Sequence, residues 1–470
     1  MAYHRAIPIA AVLSCLALQP VWAQPETPQP LQLEEVLTRV ERYHPKLLGT
    51  NLERRIASAK RLEKQGAFDP AFTAASEYLE YNSTSSRGRF ASAFQNTLSF
   101  EFPTRTGIKY AVGARYNIGN VKSPLSSTGD TGEYFVAFSV PLLRGLGLNE
   151  KVVAERQAEL GEPLSAAQLV QTRQQLKLKA ASSYWDWVAA GRKLLVARQL
   201  LALAQQRAEA VGNRIGSGDL PSIDAVEANQ EVQLRRGDLV KAERDAQKEA
   251  FKLSLYLWQA DGNPPQPPDI SRLPVTLAEP VALPEGMIDT AQQQAIERRP
   301  ELQQLQLLRE SARLDLALAE NQRLPGIDLY LSPGIDTGTN SVGATFKFGV
   351  AVSLPLAQRT ADGLIAQAQL KMQKIDLDSL DERQRILTDV ADSAAAIDAA
   401  YERYRNAEQE VQLAIQLEQG ERDRFALGDS TLFLVNQRER AAASARTRQI
   451  DAQADYERAL ATFRAATGQF

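Results

Sequence analysis

The pattern that most restricts this chain is a seven-residue apolar repeat that ends at a glycine break, and it occurs twice. In the first run Trp187, Leu194, Leu201, Ala208 and Ile215 share one heptad position, with Ala190, Ala197, Ala204 and Val211 three residues later. A period of 3.5 sustained this long demands that one helix pack along another, and alanine in the seam lets the neighbour come close. Pro141 and Gly218 lie 77 residues apart, about 115 Å if helical throughout. The second run is less regular, with Val390, Ile397, Tyr404 and Val411 flanked by Leu380, Leu387, Ala394 and Tyr401. Both runs stop in the same way, at RIGSGD (Arg214 to Asp219) and at RFALGD (Arg424 to Asp429).

The duplication extends over the whole chain. YHPKL returns as RRPEL, so that Pro45 and Pro300 are 255 residues apart, and Pro70 and Pro325 keep the same offset. Between Pro141 and Pro355 the offset falls to 214, and between Gly218 and Gly428 it is 210, so the first half holds about 41 more residues between its prolines. Each half reads as a helix, strands, a very long helix ending at the Gly-Asp break, and a helix running back. The expected division is a signal peptide over residues 1–23, a first repeat over 24–260, a proline-rich connection over 261–289 and a second repeat over 290–470. Within the first repeat the expected elements are helix 33–68, strands 70–141, long helix 146–215, tip 216–222 and return helix 223–260. The second has helix 290–324, strands 326–355, long helix 360–427, tip 428–431 and return helix 432–468. The shorter helices, placed end to end, match the long ones. The prolines of the 261–289 segment forbid continuous helix. It reads either as a flexible linker or as a belt around the middle of a long body, and the length match favours the belt.

The first 23 residues carry a basic start at His4 and Arg5, an apolar run from Ala6 to Leu18 and a small-residue site ending at Ala23, the pattern of a secretory signal. Cys15 raises a lipoprotein alternative, but Val12-Leu13-Ser14 is a poor lipobox. Cleavage removes the only cysteine, so no disulfide, thiolate metal site or thiol nucleophile is expected. It leaves 53 basic against 57 acidic residues, too balanced for a nucleic-acid partner. His44 is the only histidine beyond the signal, and its counterpart in the repeat is Arg299. No phosphate loop, nucleophile elbow or metal-ligand spacing stands out. Methionine occurs only at 1, 287 and 372, too few for a thioether relay. The reading is a protein that is not an enzyme, with no catalytic residues, no metal and no cofactor.

Between the paired prolines the period changes to two. SVGATFKFGVAVSLP puts Val342, Ala344, Phe346, Phe348, Val350, Val352 and Leu354 on one face, and IKYAVGARYNI does likewise from Ile108 to Ile118. Apolar outside with small or polar residues inside is the pattern of a transmembrane barrel strand. A soluble sandwich shows the same alternation, but the signal and the outsized helices favour the barrel, embedded in outer-membrane lipid. Strands are expected near residues 71–81, 93–103, 106–118, 133–141, 326–332 and 341–355. So few strands from one chain do not enclose a channel, so several copies must share the barrel.

The duplicated HPKL and RPEL, the P-x-x-x-G at Pro141 to Gly145 and the duplicated R-x-x-x-G-D breaks, in this order and spacing, resemble the TolC family of outer-membrane efflux proteins. The likeness spans nearly all of the chain after the signal. It implies a mixed α and β fold: a transmembrane β-barrel shared between protomers, continued by a long antiparallel α-helical coiled-coil tunnel, built from two structural repeats. It also implies a homotrimer that exports substrates, by efflux or type I secretion, from a periplasmic membrane-fusion adaptor and an inner-membrane transporter of RND or ABC type. The breaks are then the periplasmic tips where the adaptor docks, at Gly216, Gly218, Asp219, Leu220, Gly428, Asp429 and Ser430. Glycine suits the tight turns, and Asp219, Ser222, Asp429 and Ser430 are placed to cap the following helices. Asp224 matches the family's acidic tip position and is the first candidate gate residue, with Arg214 and Arg424 beside it. Arg207 and Arg438 also lie nearby and read as a solvated basic face or as cross-helix partners. Two features depart from the family. Leu434, Val435, Asn436 and Gln437 stand where some members carry acidic residues, which argues against an acidic ring. The hairpin around FPTRTGIKY exceeds the usual four strands; it either widens the barrel to six strands per protomer or projects from it, and projection is favoured. A coiled-coil spacer without transport is the competing function.

Overall fold

Proline, glycine and asparagine set the helix boundaries of this chain. The computed structural model describes residues 29–82, 90–121, 125, 127–260, 262, 263, 265–284 and 286–470. The signal segment and Cys15 lie outside the described residues. α1 (Leu33–Tyr43) and α2 (Pro45–Gln65) are separated at His44, and α5 (Met287–Arg298) and α6 (Pro300–Gln322) at Arg299. Each proline takes the first position of its helix, where a missing N–H costs nothing. The single helices expected over 33–68 and 290–324 are therefore two each. His44 accepts a hydrogen bond from the Lys46 N–H at its Nδ1 (3.2 Å) and stacks on Tyr256, which gives it a plain role as a helix cap. Burial and then the nearby Lys46 charge hold its imidazole below the ordinary histidine value.

α3 (Glu150–Gly216) runs for 67 residues and α7 (Arg359–Ala426) for 68. Each is about 100 Å long. Asn149 caps α3 by accepting from the Val152 N–H, and Pro163 sits inside the helix. α4 (Ile223–Ser254) ends earlier than the expected 260, and α8 (Leu432–Ala466) returns from the second break. α2 and α4 both pack against α3, one at each end; α6 and α8 both lie between α3 and α7. The outcome is a wall four helices wide along its length, in the order α2 or α4, α3, α6 or α8, α7. Heptad residues line its seams: Trp187, Leu194, Ala204 and Val211 in one, Val390, Ala394, Ile397 and Tyr404 in the other are buried. Leu380 departs from the expected seam and is exposed, with Ile386 buried instead, because the seam drifts around a straight helix over many turns.

The segment between α4 and α5 lies across the middle of this wall. Leu273 and Ile270 press onto Gly191 of α3, where a Cβ would stand 2.5 Å from Leu273 Cδ1. Arg192 donates to the carbonyls of Pro274 and Val275, and farther on Gln453 and Tyr456 of α8 donate to Ala278 and Val281. Leu31 adds a backbone bond to Arg272 (2.8 Å). Under this strap sits the largest apolar core, around Trp187, Val188, Tyr184 and Leu253.

Above the wall, β1 (Ala71–Asn82), β2 (Phe90–Pro103), β3 (Lys109–Gly119), β4 (Gly132–Pro141), β5 (Gly326–Thr337) and β6 (Ala344–Ser353) form one antiparallel sheet in chain order. The β2–β3 hairpin lies within this sheet and does not project. β2 matches β1 from Ala71↔Glu101 to Asn82↔Phe90, and β3 matches β4 from Lys109↔Ser139 to Arg115↔Glu133. Both edges of the hairpin have long partners to satisfy their backbone groups, whereas a projecting hairpin would leave them bare.

Candidate functional site: sheet faces and helical tips

The register sorts the sheet into two faces. Phe72, Tyr78, Phe94, Leu98, Tyr134, Phe346 and Phe348 share one face and are exposed. The other face is mostly small and polar. On it Arg115 lies over the Phe135 ring, pairs with Glu133 at 2.8 Å, and Glu133 also accepts from Thr345 at 2.6 Å. Thr345 reaches Glu133 from two strands away because Gly334 lies between them without a side chain; a Cβ there would stand 2.7 Å from Thr345 Oγ1. A sheet with a wide apolar face and a polar lining suits a barrel wall in a bilayer. Among the described residues no helix is long and apolar enough to cross one.

At the other end of the wall both breaks have one geometry. Gly218 (φ 83°) and Gly428 (φ 85°) are left-handed. The Asp219 N–H donates to the Arg214 carbonyl and the Asp429 N–H to the Arg424 carbonyl, each at 2.9 Å. This is the glycine-centred C-cap in which the residue after the glycine bonds back five positions. The R-x-x-x-G-D spacing is therefore a backbone motif. Gly216 is not part of the turn, since it ends α3 with a helical backbone. The expected capping is also corrected: Ser222 makes no side-chain cap bond, Asp219 and Asp429 cap neither helix, and Ser430 donates to Glu421. Thr431 caps α8 by accepting from the Leu434 N–H.

Leu220 packs with Ile215, Phe425 and Leu432 around Val211 and Ala228, so one apolar cluster joins the two tips. Ile223, Val226, Leu427 and Phe433 beside it are exposed. Of the gate candidates, Arg214 lies over the Phe425 ring (5.6 Å) and Arg424 donates to the Asp429 carbonyl. Asp224 stands in the first turn of α4, where the helix dipole favours negative charge, and makes no ion pair among the described residues.

About two to three turns above the tips lies a set of buried charges that sequence reasoning missed. Glu439 of α8, 5 % exposed at its side chain, accepts from Arg207 of α3 (2.7 Å) and from Arg422 of α7 (2.9 and 2.7 Å). Arg207 also donates to Asn436, which in turn donates to Glu227 of α4. Glu231 of α4 takes Arg235 (2.9 Å) and Arg440. Burial pushes the Glu439 carboxyl up, but hydrogen bonds and charge from Arg207, then Arg422, outweigh it and hold it below the usual carboxylate range. Arg207 is thus a cross-helix partner and not a solvated charge. The signal available in sequence was the pair of i,i+4 charges, Glu231 with Arg235 and Glu418 with Arg422, on faces that the heptad pattern buries. Between α3, α4 and α8 a charged groove of about 1070 Å³ opens, lined by Asp238, Lys241, Asp245, Arg440 and Arg448 among others.

The architecture is thus a sheet with one exposed apolar face continued by a four-helix wall that ends in twin tips. Residues 291–469 match the family model of the outer membrane efflux proteins. The whole fold is similar to solved outer-membrane channels. The Neisseria gonorrhoeae MtrE channel, solved in its open state, is 17 % identical over 93 % of this chain and 88 % of its own, with a TM-score of 0.68. The Campylobacter jejuni CmeC channel is 12 % identical over 99 % and 94 %, at 0.69, and the Vibrio cholerae outer membrane protein VceC 16 % identical over 93 % and 96 %, at 0.65. At such identities the likeness is one of fold. No curated protein matches the sequence.

Proposed function

We infer that three copies of the chain form one export duct, open through a shared barrel at the outer membrane and closed at the periplasmic tips. The observation that carries this reading is the sheet: it has an apolar outer face, yet among the described residues β1 and β6 have no outer partners. Unpaired strand edges are not tolerated in hydrocarbon, so the sheet must close with further copies. The flanks of the helical wall support the same reading, with Leu52, Ile56 and Leu62 of α2 and Leu370 and Leu377 of α7 exposed. Apolar stripes on both edges of a wall suit packing against a second wall.

In this reading a membrane-fusion adaptor docks at the tips, on Gly218, Asp219, Leu220, Gly428, Asp429 and Ser430 together with exposed Leu427 and Phe433. An inner-membrane transporter of RND or ABC type feeds the duct, for efflux or type I secretion. The Arg207–Glu439–Arg422 cluster latches the α3–α4 hairpin to the α7–α8 hairpin. Asp224, Arg214 and Arg424 contribute contacts between copies. The test is single-channel conductance of the purified chain in a planar bilayer, wild type against Asp224→Ala. A small current that grows in the variant supports a duct held shut at its tip. A large current unchanged by the substitution removes Asp224 from the gate, and silence in both returns the spacer without transport.

A further inference from the structure

A cavity of about 700 Å³ opens where the sheet meets the helical wall, between the start of α3, the end of α6, the start of α7 and the lower ends of β3, β4 and β5. It lies on the polar face of the sheet, where Lys109 pairs with Ser139, Ser139 with Tyr330 and Pro141 with Asp328. Its size suits a small-molecule site. Most polar groups around it are spent on one another. Asn321 Oδ1 takes the Gly145 N–H (2.8 Å), Gln322 donates to Glu150 (3.1 Å), and Lys151 donates to the Ala67 carbonyl (2.9 Å). Three groups are not spent. Among the described residues Lys109, Asp328 and Tyr330 have no side-chain hydrogen bond, ion pair or ring contact, and Tyr330 is 45 % exposed. Arg144 donates from Nη2 to Ser353 Oγ (3.0 Å) and lies across Gly326, where an added Cβ would stand 2.6 Å from that nitrogen. Its other nitrogens have no partner among the described residues.

These groups stand in line. Gly326, Asp328 and Tyr330 occupy successive positions on one face of β5, about 7 Å apart, so a guanidinium, a carboxylate and a phenol ring follow one another along the strand. The floor beside them is low: Asp328 has Pro141 and Ala351 as cross-strand neighbours, and Tyr330 has Ser139 and Gly349. A Cβ on Gly349 would meet nothing within 4 Å, which leaves one flank of Tyr330 open to a second ring. Lys109 is two strands from Tyr330, about 10 Å away, and borders the far side. Each group selects a different chemistry. A guanidinium binds a carboxylate through paired N–H donors, a carboxylate binds an ammonium, and a ring takes a ring by offset stacking. The order along β5 calls for carboxylate, ammonium and ring in the same order. That is the layout of an aromatic amino acid, whose ammonium-bearing carbon lies between the other two. A plain aromatic cation would meet Arg144 and Lys109 as like charges, and a plain aromatic acid would meet Asp328 as one.

We propose that this cavity binds aromatic amino acids and amphoteric aromatic compounds built like them, held by Arg144, Asp328 and Tyr330 on their way through the duct. The passage rests on the export reading above, whereas the site itself is formed within one chain. Binding is weak, since a solute held beside a duct must also leave it.

Saturation-transfer NMR on the full chain in lipid nanodiscs tests this, with tryptophan, tryptamine and indolepropionate as probes that share one ring and differ in charge. Tryptophan is expected to bind about tenfold more tightly than either of the others. Asp328→Asn should erase its advantage over indolepropionate, and Arg144→Gln its advantage over tryptamine. Gly349→Leu, which fills the space beside Tyr330, should weaken all three, and Lys109→Gln should change little. Equal binding of the three probes by the wild type, or a tryptophan preference kept in both Asp328→Asn and Arg144→Gln, overturns the proposal. Conductance of the same preparation separates the two readings. A conducting chain without the preference loses the site and keeps the duct; a silent chain with the preference keeps the site and loses the duct.

Discussion

Replacing Glu439 by Gln keeps the shape of the tip cluster and removes the charge that holds it. In the native arrangement this one carboxylate serves two guanidiniums from different hairpins, Arg207 and Arg422. Removing one member of a buried ion pair costs about 3–5 kcal/mol, because the other is left unpaired. Arg422 keeps Glu418 at 2.7 Å and Arg207 keeps Asn436 at 3.0 Å, which places the loss near the lower end, about 3 kcal/mol. If the cluster exists only in the closed tip, that free energy shifts the closed-to-open ratio by about 150-fold. A duct open about 1 % of the time would then be open more often than not. Single-channel recording in a planar bilayer reads the open fraction directly. pH gives an independent check. A carboxyl held below its ordinary value contributes fully above the unfolded pKa and is lost as pH falls through the folded one. Wild-type opening should therefore rise only as pH falls below the usual carboxylate range, and Glu439→Gln should lack that acid response. Unchanged open fractions in a variant that still assembles would refute the latch.

Four further outcomes follow from the geometry. Gly218→Ala and Gly428→Ala should each destabilise their tip by about 1–2 kcal/mol, through left-handed backbone and not through clash, since nothing lies within 4 Å of either added Cβ. Gly216→Ala should be neutral or slightly stabilising; limited proteolysis at the tips separates the three. Gly191→Leu should lift the strap from α3 at a cost of about 1–3 kcal/mol, seen as faster hydrogen exchange over residues 270–275 and unchanged exchange at the tips. Phe348→Arg, on the apolar face, should lower assembled barrel by about 2–4 kcal/mol at mid-bilayer, whereas Ser332→Arg on the polar face should leave assembly intact; gel mobility with and without heating reports both.

How much of this was legible in the sequence differs from element to element. The breaks at Gly218 and Gly428 could be read because a left-handed C-cap leaves a glycine at a fixed place. The strand faces could be read because Phe346, Phe348, Val350 and Val352 alternate without a fault. The split at His44 and Arg299 was missed although Pro45 and Pro300 were in view, since proline at a helix start and proline at a helix break look alike until the chain direction on either side is known. The expected caps failed because Ser222, at the N-cap of α4, has a helical and not an extended backbone, and Ser430 stands one residue before Thr431 and donates to Glu421. The tip cluster was least legible. Arg207 and Glu439 are 232 residues apart, and only the packing of α3 against α8 brings them together. Nor could the standing of β2 and β3 be settled by alternation alone, which gives a strand its faces but not its neighbours.

A hairpin begins and ends at the same membrane surface. Two strands can therefore be added between α2 and α3 without reversing the direction in which any later helix leaves the sheet, and the repeat below them keeps its register. A single added strand would deliver α3 to the wrong side of the bilayer. The width of the sheet is thus adjustable in steps of one hairpin, independently of the tips, because separate stretches of sequence build the two ends of the wall.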